Sequence, residues 1–425
     1  MNRKTSPSIK DAIDYKLELK PYEHYSLDNG ISVYSINAGA QEVLQVEMVF
    51  YAGNFFEQHK GIAAATNFLL KNGTTTRTAF QINEAFEYYG GYCNRACYNE
   101  TAVITLHTLT KHLDKLLPVM QDMLVNSTFP EQELDIYLQN SRQRLKVNLQ
   151  KAEFIAGRLI DSYLFGEKHP YGVYTNLEDL DKLSIEEIKK FYRQYYLNGK
   201  AVIFVAGKIP VELPQLLNEY FGKLAIGKPD NIIPRIKTMP ATEKKYRIQN
   251  DAEAVQGAIR IASNFPNRHH PDFKKAIILN NVFGGFFGSR LMSNIREEKG
   301  YTYGIHSYLQ NHMQESAWMV STEAGKDVCE PTIEEIYKEM KRLREEPIGE
   351  EELLLVRNFM IGGLLGDLDG PFQIIAKWKN IILNDLDQSY FYDSINEIKT
   401  ISAKELQEIA NKYLLPEKFY ELVVY

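Results

Sequence analysis

The sequence predicts an α+β protein of two homologous domains, each a mainly antiparallel sheet with helices packed on one face. Three observations carry that prediction. Hairpin and strand signals alternate with amphipathic helical stretches. A Pro- and Gly-bearing segment over residues 225–243 divides the 425 residues near the middle. Short patterns also recur across that divide. Pro130-Glu131-Gln132-Glu133-Leu134 is echoed 219 residues on by Gly349-Glu350-Glu351-Glu352-Leu353. Leu183-Ser184-Ile185-Glu186-Glu187-Ile188 is echoed 218 residues on by Ile401-Ser402-Ala403-Lys404-Glu405-Leu406. An ordered pair of matches at nearly one spacing points to a duplicated domain.

Taken in order, residues 1–22 are polar and read as a loose arm, and residues 23–224 form the first domain. Tyr25 to Tyr34 reads as strand, Asn29-Gly30 turn, strand. Val43 to Tyr51 is a strand. Gly61 to Thr74 is a short helix with a left-handed cap expected at Gly73. Phe80 to Tyr89 is a helix ended by Gly90-Gly91, and Asn94 to Leu109 makes two strands. Helices are expected over Leu113–Val125, from Pro130 to about Gln150, and over Phe154–Phe165. Ser184 caps a helix reaching Tyr196, with Glu187 at the capping-box position, and Val202–Ala206 is a buried strand. Residues 225–243 are the linker, and 244–425 repeat the pattern.

The composition is that of a globular protein, 44% hydrophobic and 24% charged. A net charge of -6 argues against a nucleic-acid surface. Three cysteines do not make a disulfide framework and suit a reducing compartment. No window approaches the ~20 apolar residues of a membrane span, and Met1–Lys20 lacks a signal-peptide core. A cytoplasmic location is the expectation for the chain as it stands.

The helix at Gly61–Thr74 sets the functional question. Ile62, Ala65, Thr66 and Leu69 form a core stripe. Ala64, Asn67 and Phe68 stand at i, i+3 and i+4 on a second face. That is the spacing of H-x-x-E-H, in which two His hold zinc and a Glu acts on a water, yet none of the three residue types is present. Other candidates are weak. Cys93 and Cys97 share a strand face without a second ligand pair, and read as core. His269-His270 reads as a loop, His306 and His312 have no carboxylates at ligand spacing, and Glu57 and His59 read as surface. There is no G-x-S-x-G elbow or P-loop, and Gly284 to Gly288 reads as a tight loop against a helix.

Several motifs in order resemble the M16 (pitrilysin-like, inverzincin) metallopeptidase family. They are Leu27-Asp28-Asn29-Gly30, the helix ending Lys71-Asn72-Gly73-Thr74, Tyr89-Gly90-Gly91-Tyr92-Cys93-Asn94, and His169-Pro170-Tyr171-Gly172. In the second half they are Phe283-Gly284-Gly285 to Ser289-Arg290-Leu291, and Ile295-Arg296-Glu297-Glu298-Lys299-Gly300-Tyr301-Thr302-Tyr303. The resemblance implies that Ala64, Asn67 and Phe68 stand where active relatives carry His, Glu and His. It also implies a distal Glu from the helix after Pro130, where no acid lies between Asp135 and Glu153. No metal is therefore expected in this chain.

On composition alone, Arg296 reads as a solvated helix cation paired with Glu297 or Glu298, and Tyr303 as a packed strand residue. The resemblance implies otherwise: that Arg296 and Tyr303 hold the substrate backbone from the second domain, with Asn94 bordering the strand that pairs with substrate. No catalytic residue is expected. The expected function is a catalytically inactive subunit of a heterodimeric metallopeptidase, its partner an M16-type subunit carrying H-x-x-E-H and the zinc. Its substrates would be peptides or unfolded segments. The alternative is a non-enzymatic homodimeric scaffold or peptide-binding protein, a role the family takes in respiratory complexes.

Overall fold

A computed structural model describes residues 11–227 and 233–425. The first hairpin joins β1 (Glu23–Ser26) to β2 (Ser32–Asn37), with Gly30 at φ +84° in the turn. Asn29 pins that turn to the body by donating to the Phe221 and Leu224 carbonyls. β3 (Val43–Phe50), α1 (Ile62–Leu69), α2 (Ala79–Tyr88), β4 (Tyr92–Cys97) and β5 (Ala102–Leu109) follow. Then come α3 (Leu113–Val125), α4 (Glu131–Asn148), α5 (Ala152–Phe165), α6 (Leu177–Leu180), α7 (Ile185–Tyr192), β6 (Ala201–Gly207) and α8 (Leu213–Phe221). Each long element falls where its periodicity or cap places it. Ser184 accepts from the Glu187 amide, although the Glu187 carboxylate turns to His59 at 3.6 Å instead of closing the capping box.

The second half holds β7 (Lys245–Ile248), β8 (Gln256–Phe265), α9 (Asp272–Asn280), β9 (Thr302–Asn311) and β10 (Ser316–Gly325). It continues with α10 (Cys329–Glu345), α11 (Glu350–Gly366), α12 (Pro371–Leu383), α13 (Gln388–Thr400), α14 (Ala403–Tyr413) and β11 (Tyr420–Val424). π-helical turns extend α7 over Arg193–Leu197 and α9 over Asn281–Gly285, and a third spans Met292–Glu298.

The sheet orders are β1-β2-β6-β3-β5-β4 and β7-β11-β8-β10-β9. Among the described strands, only β2–β6 and β7–β11 pair in parallel. Leaving out β1, the two orders are the same order, strand for strand. α4 and α11 begin at the first pair of repeated patterns, and α7 and α14 at the second, each capped by its Ser.

The halves are interlocked, which the one-faced helix layers of the sequence reading did not include. α5 of the first half packs on β8 and β11, while its counterpart α12 packs on β2 and β6 of the first sheet. The small residues Ala258, Ala262 and Ala317 let α5 approach with Ile160, Leu164 and Phe165. Every residue of β6 is buried, so a second covering layer is required. Each aliphatic side chain sealed in such a layer stabilises the fold by ~1.5–3 kcal/mol.

A polar latch joins the halves at their hairpin tips. The buried Glu100 carboxylate accepts from Tyr171 Oη at 2.6 Å and from the Met313 amide at 2.9 Å. His312 stacks on Tyr171, centroids 4.0 Å apart, and its Nδ1 lies 3.0 Å from Asn99 Nδ2.

The arm expected to be loose is packed over residues 11–22. Leu17 and Leu19 are buried in the second-half core, and Trp378 Nε1 donates to the Lys20 carbonyl at 2.8 Å. The cause is the alternation of these leucines with Lys16, Glu18 and Lys20, a strand-like pattern with one apolar side. Residues 1–10 of the arm, and 228–232 of the linker, lie outside the described residues. Beyond them the linker straps α5, with Met239 and Ala241 amides donating to the Phe165 and Tyr163 carbonyls, both at 2.9 Å. No described helix is long and apolar enough to cross a membrane.

Candidate functional site

α1 begins after Gly61, which takes φ +87°. Its first amides are capped by a side chain from the preceding loop. Glu57 accepts from the Gly61 and Ala63 amides, both at 3.0 Å. This corrects the surface reading of Glu57. Burial against the loop pushes its carboxyl up to about 7, while the two amides pull the other way. Ile62, Ala65, Thr66 and Leu69 face the core as the periodicity requires, and Gly73 is left-handed at φ +131°.

The second face is divided. Asn67 is sealed, 2% exposed, with Nδ2 donating to Tyr196 Oη at 3.2 Å. Phe68 stands at the rim between two neighbours. The Arg95 guanidinium lies 4.9 Å from its ring centroid, and the Tyr137 ring 5.1 Å away. Arg95 also donates to the Phe68 carbonyl and, at 3.3 Å, to Asn72 Oδ1. Tyr137 belongs to α4, where Ser141 and Arg144 follow at i+4 and i+7 on the same side. Burial raises the Tyr137 phenol above its ordinary range, opposed by Ser141 and Arg144. These residues do not fit a zinc ion. Ala64 and Phe68 offer no lone pair, Asn67 is closed off by Tyr196, the acids of α4 end at Asp135 so that its later turns carry none, and Arg95 places a positive charge beside the cleft.

The cysteines follow their bland reading. Cys93 is buried and Cys97 half-buried on the same face, and burial pushes the thiols up to about 11 and about 12. Among the described residues no group of three or more His, Cys, Asp or Glu is placed to hold a metal. The loop at Gly284 lies close to β9: a Cβ there would meet Ser307 at 2.7 Å. Phe286 stacks on Phe359 of α11 at 4.7 Å.

Arg296 and Tyr303 are brought together. Arg296 leaves the π-helical turn and its Nε donates to the Tyr303 carbonyl at 3.0 Å. Its guanidinium lies over the Phe287 ring, 4.7 Å from the centroid. Among the described residues it makes no ion pair with Glu297 or Glu298. Tyr303 is 93% exposed at the start of β9 and does not pack in the strand. Asn94 is exposed on β4, opposite Thr105 of β5. β4 and β9 are the corresponding edge strands of the two sheets. The three residues therefore form a pair in one half and a single residue in the other, with no hydrogen bond among the described residues joining them. Arg95, Tyr137 and Phe287 were not singled out from sequence. Their roles depend on contacts across strands and helices that no local pattern carries.

Comparison with known proteins follows the same lines. The family model for insulinase (peptidase family M16) matches residues 32–168, and that for the peptidase M16 inactive domain matches residues 182–360. An uncharacterized zinc protease of Bacillus subtilis, YmxG, is 24% identical over 396 residues, 92% of this chain and 95% of that protein. The crystal structure of a peptidase M16 inactive domain from Pseudomonas fluorescens matches with a TM-score of 0.86 at 20% identity, covering 95% of this chain and 98% of that one. A protease from Helicobacter pylori matches with a TM-score of 0.85 at 18% identity, covering 96% and 100%.

Proposed function

Because this chain belongs to the M16 peptidase family, we propose that it is a catalytically inactive subunit that binds peptide and completes the chamber of a zinc-bearing partner. One observation carries the reading. The half-buried Arg296 is held on the backbone of the exposed Tyr303, while the face of α1 that would hold metal is occupied by Ala64, Asn67 and Phe68.

The division of chemistry follows from the residues. Arg296 has one nitrogen fixed on the Tyr303 carbonyl and one face on Phe287, so its terminal N–H groups hold a set direction. A guanidinium so oriented donates to the carbonyl oxygens of an extended peptide. The Tyr303 hydroxyl is free to donate beside it. Asn94 lies on the edge strand of the other half, where an extended peptide finds unpaired backbone groups. The hydrolytic machinery, zinc included, belongs to a partner subunit carrying H-x-x-E-H.

The test is reconstitution. The purified chain is assayed for bound metal and for hydrolysis of an unstructured peptide, then mixed with an H-x-x-E-H subunit from the same source. Activity in the mixture alone, lost on Arg296→Ala, supports the proposal. Stoichiometric zinc and hydrolysis by the lone chain would refute it. A stable homodimer that ignores such subunits would favour a non-enzymatic scaffold.

A further inference from the structure

The place where a zinc ion does not fit still carries positive charge, and that charge is not spent inside the chain. β4, α1 and α4 converge there. Along β4 the side chains of Cys93, Arg95 and Cys97 share the α1 face, by the alternation of a strand. Arg95 is half-buried, with its guanidinium over the Phe68 ring. Its Nη1 donates only to neutral oxygens, those of the Phe68 carbonyl and the Asn72 amide. Nε and Nη2 have no partner among the described residues, and neither is sealed from solvent. Elsewhere in the chain that same Nε–Nη2 fork is filled by a carboxylate. Glu352 accepts from both nitrogens of Arg290 at 2.8 and 2.9 Å, and Glu330 from both of Arg247. On α4, Arg144 is exposed and close enough to favour the Tyr137 phenolate, and it too makes no ion pair among the described residues. Two acids of the neighbourhood are engaged: Glu133 accepts from Asn72 Nδ2 at 2.7 Å, and Glu57 holds the first amides of α1. Phe68 is 42% exposed, so the site is open.

We propose that the closed metal position is a carboxylate site: Arg95 and Arg144, with the Tyr137 hydroxyl, receive an acidic group of the bound peptide. The inference rests on the peptide-binding reading above and names its substrate class. Charge and shape identify the ligand. A guanidinium attracts a negative oxygen as a metal does, but it cannot activate a water. Two parallel N–H groups match the two oxygens of a carboxylate, whereas a single carbonyl fills only one of them. Partial burial strengthens the attraction beyond that of a solvated arginine. Burial also keeps the Tyr137 phenol protonated, so it donates to the same anion. The backbone supplies the route. β4 is an edge strand, and a chain added beside it turns alternate side chains to the α1 face, where Arg95 stands. The overall charge of the protein works the other way. At -6 it repels acidic peptides, so a preference for them has to arise locally.

Three fluorescein-labelled, unstructured, C-terminally amidated peptides, identical except for Glu, Gln or Lys at the centre, are titrated against the full chain by fluorescence anisotropy. A fourth has the central Gln and a free C-terminal carboxylate. The Glu peptide is expected to bind roughly 10-fold tighter than the amidated Gln peptide, the scale of a hydrogen-bonded charge, and the Lys peptide weakest. Arg95→Gln removes that preference, and Arg95→Lys, which keeps the charge without the fork, restores only part of it. Arg144→Glu, at an exposed site, reduces the preference with an unchanged melting temperature. An Arg95-dependent gain for the fourth peptide alone assigns the site to a chain terminus, and a gain for the Glu peptide assigns it to a side chain. Arg296→Ala weakens all four alike and keeps their ratios. If Arg296→Ala changes none of them but the Arg95 and Arg144 variants still abolish the preference, the clamp reading fails and the carboxylate site stands. Equal binding of all four peptides by the wild type, or a preference indifferent to Arg95 and Arg144, overturns the proposal. So does loss of association with an H-x-x-E-H subunit on Arg144→Glu at unchanged peptide preference, which would make the site a subunit contact.

Discussion

Rebuilding the zinc motif is the most direct trial of how α1 has been closed. The triple variant Ala64→His, Asn67→Glu, Phe68→His restores the motif in sequence, and we expect it to bind no stoichiometric zinc. Arg95 is the reason. Its guanidinium lies 4.9 Å from the ring centroid of Phe68, the place an imidazole would take. A divalent ion ~5–7 Å from that charge is repelled by about 5–7 kcal/mol at an effective dielectric of ~20. That is roughly four to five powers of ten in affinity. α4 adds a second obstacle, since Arg144 rather than an acid follows Tyr137 on the side toward Phe68. Adding Arg95→Ala and Arg144→Glu removes two positive charges and supplies a carboxylate, and zinc should then bind. Metal content after dialysis, and titration against a chelator of known affinity, read the difference. Circular dichroism and melting temperature confirm that each variant is folded. Stoichiometric zinc in the triple variant, with Arg95 intact, would refute the electrostatic argument. A folded five-site variant that remains metal-free would show that the barrier lies elsewhere.

Three further outcomes follow from the packing. Leu19→Ala, at a site 2% exposed, should cost about 2–5 kcal/mol in denaturant unfolding; a change below ~0.5 kcal/mol would mean that the arm does not pack. Tyr196→Phe removes the acceptor of Asn67 Nδ2 and should cost about 1 kcal/mol, with no loss of peptide binding. His312 titrates at the latch between the halves, where burial and the nearby His169 push its imidazole down to about 4. Its folded value lies below the ordinary 6.5, so its contribution is present above that pH and is lost as pH falls from 6.5 through about 4. Glu100, which accepts from Tyr171 and the Met313 amide beside it, is the acid facing this group. His312→Phe keeps a ring against Tyr171 without a titrating group, and its unfolding free energy should fall less than the wild type's between pH 7 and 4.5. Equal losses would remove His312 from the acid response.

Much of the fold was legible in the chain. Leu113 to Val125 repeats its apolar residues at helical spacing, and α3 occupies those residues. The continuous apolar run at Val202–Ala206 belongs to a fully buried strand, β6. Asn29-Gly30 marked a turn because only glycine enters φ +84° without strain. Two readings went astray for a common reason. The arm was read from its polar residues, whereas Leu17 and Leu19 are buried in a core built largely by the second half, and the arm's backbone bonds Trp378 and Tyr392, more than 350 residues away. Glu57 was read as surface, because a loop carboxylate gives no local sign that it caps the next helix.

The helix at Gly61–Thr74, whose second face has Ala64, Asn67 and Phe68, is a local fact, and so is the absence of metal donors on that face. Local spacing determined the elements, the repeat and the missing donors, since each depends on residues a few positions apart. What only the tertiary structure decided is where the unused faces meet. It set Phe68 between Arg95 and Tyr137, crossed α5 and α12 onto opposite sheets, and turned Arg296 from its acidic sequence neighbours to the Tyr303 carbonyl and the Phe287 ring. These are contacts between elements, and their energies come from burial and charge at distances that residue order does not encode.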